Sequence, residues 1–187
     1  MARKEVGLPA VTQCRVDERY PMPYWDSTIS RWLLSLPIGQ AWADQWRPFD
    51  GTYGDQRGPR ATAPSPDYVM DGLVYDHTIA HAVRPIVEPY GEILPLTIDG
   101  RPHEFFHCLT TADALDETNS GLLQWDPGTT PRRLGVYGNI ALHEDIAERA
   151  GIFQIPEKPG TVFYARRIAH ALLTTPGWTG STFEHPY

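Results

Sequence analysis

The residues of this chain best suited to hold a metal ion or move protons are its histidines and carboxylates, and their spacing sets what each group can do. His77 and His81 stand four residues apart in a stretch with helical periodicity, which puts both rings on one face at metal-ligand separation. Thr78 occupies the place where a zinc protease carries its glutamate, so the motif is not His-Glu-x-x-His, and a third ligand is not in view. A metal-dependent hydrolase built on His77 and His81 is therefore an alternative reading, and no metal site is assigned. His103 and His107 are also four apart, but on a strand, where the rise separates them by about 13 Å along one face and they cannot share an ion. His143-Glu-Asp145, at a helix start, reads as solvated.

Carboxylates gather in Asp113-Ala-Leu-Asp-Glu-Thr-Asn-Ser120, where Asp113, Asp116 and Glu117 share one loop, with Asp126 beyond it. Paired carboxylates work as acid and base when their surroundings push their pKa values apart, and nothing in the flanking sequence marks an apolar pocket. The loop reads either as Asx turns and caps or as an acidic binding surface. No G-x-S-x-G elbow, P-loop or G-x-G-x-x-G is present, and neither Cys14 nor Cys108 has a base beside it in sequence. No catalytic residue and no cofactor follow from these patterns. Trp42 is the other candidate, either a core residue or an anchor at a protein interface, where a large ring buries area at small entropic cost.

Two textures of chain must position these groups. Residues 1–66 carry Trp25, Trp32, Trp42 and Trp46 among prolines, with one helix from about Ser27 to Leu36 capped by Asp26 or Ser27, and Gly51 to Pro66 reads as a loop. This part is read as a Trp/Pro-rich N-terminal arm and linker. Residues 67–187 read as one α+β domain. Short strands flank Asp71-Gly72, a helix from Thr78 to about Val87 starts behind Asp76 and, because of Pro85, kinks or ends near Arg84, and a hairpin turns at Asp99-Gly100. A strand over 133–142, a short helix stopped by Gly151, two strands around 156–160 and a last helix over 166–173 follow. The pattern predicts a mixed, mostly antiparallel sheet with helices packed on one face, Ile79, Val83, Ile168 and Leu172 pointing to the core.

One internal repeat is visible. Tyr75-Asp-His-Thr-Ile-Ala-His-Ala-Val and Tyr164-Ala-Arg-Arg-Ile-Ala-His-Ala-Leu match in register, which also pairs Gly91 with Gly180 and Leu94 with Phe183. Ala165 stands where Asp76 caps the first copy, so the second helix start lacks a side-chain acceptor.

The chain has 187 residues, with 16 Lys+Arg against 23 Asp+Glu and a net charge of -7. That balance disfavours nucleic acid, whose phosphates it repels, and draws in basic proteins. Two cysteines without a CxxC spacing fit a reducing compartment, and no window approaches the roughly 20 apolar residues of a membrane span, so the protein reads as cytoplasmic with no membrane partner.

Leu73-Val-Tyr-Asp-His-Thr-Ile79, Gly91-Glu-Ile-Leu-Pro-Leu96, the Asp113-Ala-Leu-Asp116 loop ending in Ser120, Gly151-Ile-Phe-Gln-Ile155, and a closing helix followed by Gly177-Trp-Thr-Gly-Ser-Thr-Phe-Glu184 recur in one order. In that order, residues from about Asp67 onward resemble the immunity protein family numbered eleven among bacterial polymorphic-toxin systems, first catalogued as a domain of unknown function. The resemblance implies a protein, not an enzyme, that binds and neutralises a cognate toxin domain, often a nuclease, in the producing cell. It implies no catalytic residues. Because nucleases tend to be basic, an acidic inhibitor is steered to them, and the expected toxin-binding residues are Asp113, Asp116, Glu117 and Asp126, with Trp42 as a competing anchor. A structural protein-interaction module is a further alternative.

Overall fold

The computed structural model describes residues 9–16, 22–37, 39–54, 67–69, 72–125, 135–137 and 139–184. In chain order these form β1 (Val11–Val16), β2 (Met22–Tyr24), α1 (Ser27–Ser35), β3 (Asp50–Gly54), β4 (Asp67–Val69), β5 (Gly72–Asp76), α2 (Ala80–Val87), β6 (Gly91–Ile98) and β7 (Arg101–Cys108). Then come β8 (Leu122–Trp125), β9 (Gly135–Tyr137), α3 (Glu144–Ala150), β10 (Ile152–Ile155), β11 (Lys158–Ala165), α4 (Arg166–Leu173) and β12 (Ser181–Glu184). Single 3-10 turns at His77–Ile79 and Glu88–Tyr90 bracket α2.

The fold is α+β and mostly antiparallel. The strands do not form the single sheet expected: a four-stranded sheet runs β10-β11-β1-β12, a six-stranded sheet runs β2-β3-β6-β7-β5-β4, and β8 and β9 make a separate ribbon. Only the β3–β6 pair, with Asp50 opposite Thr97 and Gly51 opposite Ile98, is parallel within these sheets. The division follows from burial on both faces. Along β7 every residue from His103 to Cys108 is buried, and alternate side chains point to opposite faces, so each face needs its own cover.

Three apolar cores result. The first is shared by both sheets with α2 and α4, and gathers Leu73, Tyr75, Phe106, Tyr164, Phe183 and Cys14 together with Ile79, Val83, Ile168 and Leu172. The four helix residues are buried as their spacing predicts, and α2 packs on α4. The second core lies on the other face of the six-stranded sheet, where Leu94, Leu96, Ile98 and Phe105 meet Leu33, Leu36 and Trp42. On the opposite face of the four-stranded sheet, the third core sets Phe153, Ile155 and Phe163 against Ala114, Leu115 and Ala147. Helices therefore occupy several faces: α2 and α4 the shared core, α1 the second and α3 the third.

The described residues between 9 and 54 do not stand off as an arm. β1 lies between β11 and β12, β3 joins the six-stranded sheet with its residues 51–54 inside the stretch from Gly51 to Pro66 that reads as loop, and the tryptophans cover the second core. Local pattern gave no sign of this because every partner of these strands is distant in sequence. Pro85 stays inside α2, where its ring is exposed and costs the helix one amide near its end. Of the strand expected over 133–142, residues 135–137 are strand and 139–142 are not; 133, 134 and 138 lie outside the described residues. No helix among the described residues is long and apolar enough to cross a membrane.

Candidate functional site

The acidic loop is built by backbone bonds to the chain entering α3. The Asp116 amide donates to the Ala141 carbonyl at 2.9 Å, the His143 amide to Ala114 at 2.8 Å, and Leu115 bridges Leu142. Ala114 and Leu115 drop into the third core and turn their neighbours outward. The result is a ridge with Asp113, Asp116 and Glu117 from one segment and Glu144 and Asp145 from the next.

Within it Asp116 is a turn former: its carboxylate accepts the Asn119 amide at 3.0 Å and the Asn119 side-chain nitrogen at 2.6 Å. Those hydrogen bonds, the side-chain one first, hold its pKa below the usual carboxylate value. Asp145 pairs with Arg149 at 3.0 Å and Glu148 with Arg167 at 2.9 Å. Asp113, Glu117 and Glu144 are exposed and have no ion-pair partner among the described residues. Glu144 and Asp145, read from sequence as merely solvated, complete the ridge and also suit the positive end of α3. Asp126 lies outside the described residues. Beside the ridge an open groove of about 570 Å³ runs between α3 and α4, with Glu144 and Glu148 on one wall and Arg166, Arg167 and His170 on the other.

Trp42 belongs to a different layer. It is 6% exposed, and its ring stacks on His107 with centroids 3.6 Å apart, so of the two roles open to it, core residue or interface anchor, it takes the first, as a buried cover of the second core. Glu92 fastens it: this carboxylate accepts the Trp42 and Ala43 amides and meets His107 Nδ1 at 2.9 Å. Burial lowers the His107 pKa against the opposing pull of Glu92. Trp42 Nε1 donates to the Pro37 carbonyl at 2.8 Å. Because Glu92 lies some fifty residues beyond Trp42, no local signal links the two.

The histidine pair does not act as a pair. His77 turns Nδ1 to Glu104 Oε1 at 3.3 Å, while His81 is exposed on α2. Glu104 is the group the sequence reading passed over. Its side chain is 5% exposed, and Arg84 donates to it from Nε at 2.8 Å and from Nη2. Burial alone would raise its pKa; Arg84, with Tyr75 and His77, outweighs burial and holds it below the ordinary value. Tyr75, directly opposite Glu104 across the strands, has its pKa pushed up by burial and then by that carboxylate. These bonds tie the turn before α2 and Arg84 within it to β7. Among the described residues no group of three metal-ligating side chains is assembled. Comparison with protein-family models and with curated proteins finds no match for this chain.

Proposed function

We propose that this protein acts by binding: it is an immunity protein that neutralises a cognate, basic bacterial toxin domain, a nuclease by class, in the cell that makes the toxin. The observation that carries the reading is the ridge, because two acidic segments are joined by backbone bonds into one solvent-facing edge whose Asp113, Glu117 and Glu144 lack a cationic partner among the described residues. On a chain of net charge -7 such an edge raises the encounter rate with a basic surface. A polyanion-binding toxin presents that surface where its substrate lies.

Co-expression tests the proposal directly. Cells carrying a toxin domain encoded beside this gene are expected to survive when the protein is present. Survival no better than with an empty vector counts against the reading, as does purified protein that fails to hold the toxin in a one-to-one complex at low salt.

A further inference from the structure

The two sheets contain the same unit twice. In the six-stranded sheet the order β4-β5-β7-β6 comes from a chain that runs β4, β5, α2, β6, β7. In the four-stranded sheet the order β10-β11-β1-β12 comes from a chain that runs β10, β11, α4, β12, with the place between β11 and β12 filled from elsewhere in sequence. β1 fills it. β5 and β6 are both antiparallel to β7, and β11 and β12 are both antiparallel to β1, so each helix links two parallel strands across an inserted third.

The residues follow the topology. Tyr75 and Tyr164, Ile79 and Ile168, Ala80 and Ala169, Val83 and Leu172 are equivalent pairs, all in the shared core. Tyr75 faces Glu104 and Tyr164 faces Thr12, so Glu104 corresponds to Thr12 and Phe106 to Cys14. Phe106 and Cys14 then pair with Ile93 and Phe183, which sets Phe183 against Ile93 and moves the repeat by one residue from the Leu94 match read in sequence. The cap is also restored. Asp76 accepts the Thr78 amide at 2.7 Å, whereas α4, lacking that side chain, has its Arg166 amide bound by the Ala10 carbonyl at 2.9 Å, at the entry to β1.

We propose that residues 67–108 and 152–184 are two copies of one strand-strand-helix-strand-strand unit, and that the last strand of the second copy has been transferred to the N-terminal side as β1. The gap between β11 and β12 is then a strand-binding slot whose ligand is an extended segment with the pattern of Val11-Thr-Gln-Cys14. The slot fixes which residues of that segment face inward and does not depend on the end of the chain from which the segment arrives. β12 ends beside β1, with Glu184 opposite Gln13, so the hairpin that joins β6 to β7 at Asp99-Gly100 has its counterpart in a join from β12 to β1.

A circular permutant that starts at Asp17 and joins Tyr187 to Met1 keeps every residue and delivers β1 from the C-terminal side. It is expected to melt cooperatively within a few degrees of the parent and to keep the parent's Trp178 emission. A permutant that lacks cooperative melting overturns the transfer. The residue equivalence has its own test in the uncut chain, because Arg84 corresponds to Leu173. Thr12→Glu alone is expected to lower the melting temperature sharply, and adding Leu173→Arg to recover part of the loss by recreating the Glu104–Arg84 pair. A double variant no more stable than Thr12→Glu overturns the equivalence, whatever the permutant does.

Discussion

The two units share a topology and differ in what they bury. The inner face of the β5/β7 unit holds a carboxylate under a guanidinium and an imidazole, and its outer face holds His107 between Glu92 and Trp42. At the equivalent inner places the β11/β1 unit has Thr12 and Leu173, and its outer face packs Val11, Phe153 and Phe163. A buried charge is tolerated only when its partners replace the water it loses, and removing one partner then costs more than the pair contributed. The first unit thus depends on specific polar partners and on pH, and the second on shape.

The largest expected effect comes from breaking that polar dependence. Glu104→Ala leaves Arg84 and His77 without their acceptor and is expected to cost about 3 kcal/mol, the low end for a broken buried pair because the Arg84 side chain is 46% exposed and can reach water. Thr12→Ala removes a hydroxyl that donates to the Tyr164 carbonyl at 3.2 Å and is expected to cost about 1 kcal/mol. Urea midpoints of the two variants measure the contrast. Equal losses would erase the difference between the units. Replacing Glu104 and Arg84 together by leucine should recover most of the stability.

A smaller effect separates the units by pH. The folded state lowers the His107 pKa, so between that value and the unfolded value of about 6.5 the unfolded chain binds the extra proton and stability falls on acidification. Glu104 also has a lowered pKa, and its contribution, complete above the unfolded carboxylate value, is lost at more acid pH still. Acidification should therefore loosen the Trp42 cover of the first unit before it disturbs Trp178, which sits among apolar residues of the shared core. Urea midpoints across pH 4–7 are expected to flatten in the upper part of that range for His107→Phe. An unaltered profile would remove His107 from the account.

How much of this was legible in the sequence divides along the same line. Asp99-Gly100 announced its hairpin, with both residues at positive φ, and Ile79, Val83, Ile168 and Leu172 announced the shared core, because those signals lie within one turn of chain or helix. The role of β1 was hidden, since Val11-Thr-Gln-Cys-Arg-Val16 shows no alternation that marks a central strand and its neighbours lie about 150 residues away. The Glu104 network was hidden because its members, spread from Tyr75 to Glu104, meet only when α2 folds back over the strands. Asp116 illustrates the opposite limit: the sequence offered turn former and binding surface as alternatives, and its carboxylate forms the turn while its loop carries the exposed charges.

The smallest effect on stability is expected on the ridge, and there the comparison reaches the proposed partner. Asp113, Glu117 and Glu144 are exposed, so Asp113→Asn, Glu117→Gln and Glu144→Gln should each shift folding stability by no more than about 0.5 kcal/mol, and by least at Asp113 and Glu117, which do not serve a helix terminus. Their combined neutralisation removes charge from the edge proposed to meet a basic toxin, so on that proposal association should slow and lose part of its salt dependence while dissociation changes little. Trp42→Ala is the internal control. Its ring is buried on His107, so its loss should lower the melting temperature, and any weakening of the complex should track the unfolded fraction. Stopped-flow association rates at two salt concentrations, measured beside melting curves, separate the two layers. A triple ridge variant that associates as fast as the parent at low salt would take the ridge out of the interface.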